Sequence, residues 1–171
     1  MLSRRRILDL FAELDDELCR AGVRGDVFIV GGAAMAVAYD ARPATRDVDA
    51  IWHPSAEIRT AAERVAARHD DLDAAWMNDG VKGFLPGDDP GHGPVVYDGE
   101  CLTVSAASPE YLLATKLLAS RVSRDEADIL LLYELCGFTT VAEGLELVER
   151  YFPSRPIEAK VRFFLEDLFG R

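Results

Sequence analysis

Asp47 and Asp49 stand two residues apart in the stretch DVDAIW, and this spacing is the strongest chemical signal in the chain. On a β-strand successive side chains alternate faces, so the two carboxylates project together while Val48 points the other way. Adjacent like charges repel, and a cation between them removes that penalty. Carboxylate oxygens suit Mg2+, which takes one or two protein carboxylates and fills its remaining positions with substrate phosphates and water; Mn2+ accepts the same donors. The competing reading of an Asp-x-Asp pair is an edge strand with two hydrated acids.

Upstream, Gly31-Gly32 follows the apolar run DVFIV and precedes AAMAVAY. A glycine pair between a strand and a helix leaves backbone N–H groups open to an anion such as a triphosphate, or serves only as a tight connection. It is not a dinucleotide fingerprint, and no Gly-Lys-Ser/Thr phosphate loop occurs. Arg46 directly precedes Asp47, where it can reach a phosphate or a neighbouring acid. Downstream, Lys116 lies among Leu112, Leu113, Leu117 and Leu118, with Arg121, Asp125 and Asp128 following. A lysine on an apolar helix face is costly unless it meets an acid or a phosphate. Two readings stand: an ion pair, Lys116–Asp128 or Arg121–Asp125, locking two helices, or a contact with nucleotide phosphates. Asn78, Asp79 and Lys82 form a polar cluster that reads as a turn or as a cleft wall. His53, His69 and His92 are scattered and make no metal set.

The elements that must position these groups follow from periodicity. Leu2 to Ala21 is an amphipathic helix with Ile7, Leu10, Phe11, Leu14 and Leu18 on one side and Asp15, Asp16 and Glu17 on the other, stopped by Gly22 and Gly25. Asp26 to Val30 is a central strand, Ala33 to Tyr39 a buried helix, and Asp47 to Trp52 a second strand. Ser55 caps a helix to His69. Strands are expected at Ala74–Met77, Pro94–Tyr97 and Leu102–Ala106, with a mobile surface loop over Gly87–Gly93. From Ser108 on, only helices are expected: one capped by Ser108 with Pro109 at its first position, then Arg124–Leu135 ending at Gly137, Thr140–Tyr151 and Ile157–Phe169. The fold class is α+β, a small mixed sheet flanked by helices over residues 1–107 and a helical bundle over 108–171.

Gly31-Gly32-Ala33, Arg42 and Thr45-Arg46-Asp47-Val48-Asp49 together resemble the opening motif of the polymerase-β-type nucleotidyltransferase superfamily. Glu110, Lys116, Ala119, Arg121, Arg124-Asp125 and Asp128 are similar to the helical motif of the AbiEii-type toxins of bacterial toxin–antitoxin systems. The two motifs span Val27 to Leu132 in that order. The resemblance implies transfer of a nucleotidyl group from a nucleoside triphosphate to an acceptor hydroxyl. Asp47 and Asp49 would hold Mg2+, and Gly31, Gly32, Arg46, Lys116, Arg121 and Asp128 would bind nucleotide. It further implies a tRNA acceptor and an antitoxin partner. Two departures stand out. Ala33 replaces a serine common in such motifs, and the usual third carboxylate has only Asp98 or Glu100 as candidates.

The net charge of -11 disfavours nucleic acid, since phosphate binding draws on clustered Lys and Arg. It leaves open a small-molecule acceptor such as an aminoglycoside, a protein hydroxyl, or a non-catalytic binding module. No apolar run approaches membrane-spanning length, Ile129–Tyr133 reading as a buried helix turn, and Arg4–Arg6 are followed by charges and not by a signal-peptide core. Cys19, Cys101 and Cys136 are odd in number and far apart, which fits a reduced, cytoplasmic chain.

Overall fold

Five strands form a mixed sheet in the computed structural model, which describes residues 1–119 and 125–170. The fold is α+β, and the chain divides into two units: Met1–Gly83 with Gly93–Ala107, and Phe84–His92 with Ser108–Arg171.

The first unit contains β1 (Leu2–Ser3), α1 (Arg4–Ala21), β2 (Gly25–Ile29), α2 (Gly31–Val37), β3 (Ala44–Thr45), β4 (Val48–His53), α3 (Ser55–Ala66), β5 (Met77–Asn78), β6 (Val95–Asp98) and β7 (Leu102–Ala106). The sheet order is β5-β4-β2-β7-β6, with β2 parallel to β7 and antiparallel to β4. One face carries Val27, Ile29, Val48, Ala50, Leu102, Val104 and Ala106, all buried, as are Ile7, Leu10, Phe11, Leu14 and Leu18 of α1. The period-two and period-3.6 patterns therefore bury one face each, which is why these elements are readable from sequence.

Several expectations need correction. Leu2 and Ser3 are not helical; they pair with β3, and Ser3 caps α1 by accepting from Arg6 N. The helix over 55–66 is capped by Pro54, with no side-chain cap bond from Ser55. Asp15 and Glu17 are buried, not on a solvent face. Glu17 meets Arg20, Arg68 and Arg64, and Asp15 accepts from Cys101 N at 2.7 Å. The expectation of a fully reduced chain also fails, because Cys19 and Cys101 are joined by a disulfide. Their separation of 82 residues hides a neighbourhood that only the β6–β7 turn creates.

The second unit contains α4 (Pro109–Leu118), α5 (Glu126–Cys136), α6 (Val141–Tyr151) and α7 (Ala159–Phe169). Ser108 caps α4 by accepting from Tyr111 N, and Gly137 closes α5 in the left-handed region at φ 70°. Thr140 and Glu143 form a reciprocal capping box on α6. The loop expected to be mobile over Gly87–Gly93 holds Asp89, which is tied to the start of α4. Asp89 accepts from Ser108 N at 2.7 Å and from Ser108 Oγ at 2.6 Å, and Tyr111 Oη donates to Pro86 O.

Tyr133 stacks on Phe169 with ring centroids 4.1 Å apart and sits against Gly144, where a Cβ would overlap its hydroxyl. Helix propensity alone favours Gly144→Ala by about 1 kcal/mol. The overlap reverses the sign, so we expect the variant to lose about 1–3 kcal/mol, as overpacked cores do. A denaturant midpoint above that of wild type would contradict this packing.

Candidate functional site

Asp49 is the second residue of β4, and Asp47 lies in the bend just before it. Both are half-buried and flank Val48, which is fully buried. Two hydrogen bonds fix this end of β4. Val48 N donates to Trp76 O at 2.7 Å, and Val30 N donates to Asp49 O at 2.9 Å, joining the strand to the residue before the glycine turn. Across the parallel pairing Asp49 lies opposite Asn78, whose Oδ1 accepts from Gly80 N. Asn78 is therefore both a turn residue and a neighbour of Asp49.

The glycine pair packs directly onto this strand. Gly31 opens α2 at φ 57°, and a Cβ there would stand 3.3 Å from Asp49 Oδ2. A Cβ on Gly32 would stand 2.7 Å from Thr45 Oγ1 and 3.7 Å from the Arg42 guanidinium. The glycines thus make room for the protein's own Asp49, Thr45 and Arg42, a tighter role than clearing space for a ligand. The N–H groups at the start of a helix have no partner within it. Gly31→Ala forces a side chain into the left-handed region at a cost of about 1–2 kcal/mol and presses on Asp49. We expect melting a few degrees lower, and a melting temperature equal to that of wild type would contradict this packing.

Arg46 is exposed. Asp98 and Glu100, the candidates for a third carboxylate, are exposed and lie at the wrong end of the sheet. Asp98 pairs with Thr103, Thr103 with Asp26 and Asp26 with His53, so that row is four residues from Asp49 along β4. Four residues of strand span about 13 Å, beyond reach of a shared ion. Among the described residues, the one group of three or more His, Cys, Asp or Glu side chains at metal-ligand spacing is Asp15, Cys19 and Cys101. Asp47 and Asp49, two residues apart at the start of β4, would together offer a two-carboxylate, oxygen-only donor set. That set fits Mg2+, whose other positions go to phosphate and water. Asp79 is engaged by Arg59 at 3.0 Å, and Arg59 also lies over the Trp52 ring.

In the second unit Lys116 Nζ sits 2.7 Å from Asp128 and 3.2 Å from Asp125, with the lysine side chain only 11% exposed. The α4 lysine is thus shared between the start of α5 and its first turn. Arg121 lies outside the described residues. The Asp47–Asp49 set belongs to the first unit and the Lys116 set to the second.

Arg42 and Thr45 entered the sequence reading only through motif resemblance, since neither has a periodicity or charge pattern that marks it. Comparison with curated proteins and with solved structures gave no match. The family described as nucleotidyltransferase of unknown function (DUF6036) matches residues 5–134, a span that holds both Asp47–Asp49 and Lys116–Asp128, and the chain belongs to that family.

Proposed function

We propose that this chain is a Mg2+-dependent nucleotidyltransferase that moves a nucleoside monophosphate from a triphosphate to an acceptor hydroxyl. The observation that carries the reading is the contact of Asp49 with the Gly31 turn, beside a second acid, Asp47, across the buried Val48. A bound divalent cation supplies charge neutralisation of the triphosphate. Asp47 and Asp49 hold that cation, and the N–H groups of Gly31 and Gly32 bind phosphate oxygens. Arg46 contributes positive charge from the exposed bend. The resemblance also assigns Lys116, Arg121 and Asp128 to nucleotide binding; within its own unit Lys116 is held by Asp125 and Asp128. The acceptor hydroxyl loses its proton to water, its oxygen bonds to the α-phosphorus, the bond from that phosphorus to the α–β bridging oxygen breaks, and pyrophosphate leaves.

The helical motif resembling AbiEii-type toxins supports tRNA as acceptor and an antitoxin as partner. The net charge of -11 favours the second reading, a small-molecule or protein hydroxyl. The test is pyrophosphate release from mixed nucleoside triphosphates, with Mg2+ or Mn2+ and with a chelator. Release that requires the metal supports the proposal. Nucleotide binding without release identifies a non-catalytic nucleotide-binding module instead.

A further inference from the structure

The β6–β7 turn is fastened to α1 twice, by two different chemistries. The covalent fastening is Cys19–Cys101, with Cα atoms 5.4 Å apart. The polar one is Asp15, one helical turn before Cys19 and so on the same face of α1. Its buried carboxylate accepts from Cys101 N at 2.7 Å, Glu100 N at 3.3 Å and Tyr97 Oη at 3.3 Å. The polar clamp needs no sulfur chemistry, and it holds the Cys101 backbone beside the helix that carries Cys19. Both cysteines are half-exposed, within reach of small thiols. Cys101 O accepts from Gly25 N, at the end of β2 opposite the glycine turn.

From these observations we infer that Cys19 and Cys101 form a reversible redox staple, a dithiol in reducing surroundings and a disulfide in oxidising ones. Its state sets the stability of the first unit. Oxidation removes two protons and two electrons from the thiols. A low-molecular-weight disulfide takes both up through a mixed disulfide and leaves as two thiols. Closing a long loop stabilises chiefly by restricting the unfolded chain. The Asp15 clamp keeps the reduced protein folded and the thiols apposed for re-formation. Cys136 is an internal contrast, because burial pushes its thiol up to about 12 and leaves little reactive thiolate.

The full chain is equilibrated with oxidised or reduced glutathione, labelled with iodoacetamide under native conditions, mapped by mass spectrometry and melted. After oxidised glutathione, Cys19 and Cys101 should resist labelling; after reduced glutathione both should label while the circular dichroism stays native. Reduction should lower Tm by about 5–15 °C, reversibly. Cys19→Ser should melt at the reduced value in both buffers. Asp15→Asn should slow disulfide re-formation by about tenfold, as expected for losing one charge-assisted hydrogen bond. Three outcomes overturn the inference: labelling of both cysteines after oxidised glutathione, loss of native structure on reduction at 25 °C, or protected thiols that co-purify with stoichiometric zinc.

Discussion

Exchanging Asp49 for asparagine should lower metal-dependent turnover by about three orders of magnitude, the scale of losing one pre-organised electrostatic group. The apo protein should stay as stable as wild type or become slightly more so. Asparagine keeps the shape that fits against Gly31 and leaves the buried Val48 and the Val30 N to Asp49 O bond untouched. It removes one of two like charges that repel when no cation is present. Asp47→Asn should behave the same way. This opposite movement of activity and stability separates a metal site from a structural pair. Melting curves with and without Mg2+ and nucleotide, beside a pyrophosphate assay, read both quantities. An Asp49→Asn protein that melts markedly earlier without ligand, or keeps full turnover, would make these carboxylates structural.

The second large effect is expected at Lys116. Lys116→Met keeps most of the volume but takes the lysine's charge away from Asp125 and Asp128, whose side chains are 14% and 7% exposed. Breaking a buried pair from one side costs about 3–5 kcal/mol, because the remaining charge loses its partner without regaining water. We expect Tm to fall by about 6–20 °C on that basis. Adding Asp128→Asn should recover part of the loss, and a double-mutant cycle gives the coupling directly. Additive effects would show that the lysine is not bound to Asp128 in solution. A role in nucleotide binding must be read separately, as affinity measured well below the variant's own melting temperature. Unchanged affinity there would leave Lys116 as a helix lock only.

The sequence makes the long, one-sided elements visible: α1 through its apolar stripe, β2 and β7 through β-branched residues, and α4 and α6 through Ser108 and Thr140. It hides β1 and β3, since two-residue strands are too short to show a period. Asp15 and Glu17 read as solvent-facing acids because their partners lie elsewhere in the chain: Cys101 for one, Arg64 and Arg68 for the other. The same limit applies at the candidate site. The spacing of Asp47 and Asp49 is local and therefore legible. The approach of Thr45 and Arg42 to Gly32, and of Asn78 to Asp49, depends on pairing and turn packing that no local pattern encodes. Asp98 and Glu100 seemed eligible as a third carboxylate because sequence alone does not say at which end of a sheet a residue falls. The antiparallel register of β6 on β7 decides that.

The most direct test of the central claim follows the α-phosphate. Wild type and Asp49→Asn are incubated with Mg2+ and nucleoside triphosphates labelled at either the α- or the γ-phosphate, together with total bacterial RNA or a panel of hydroxyl-bearing small molecules. The account predicts that wild type transfers α-label, and never γ-label, to an acceptor, with one pyrophosphate released per transfer, and that Asp49→Asn does neither. Transfer of γ-label would make the protein a kinase. No transfer of either label to any acceptor, with triphosphate recovered intact, would contradict the account.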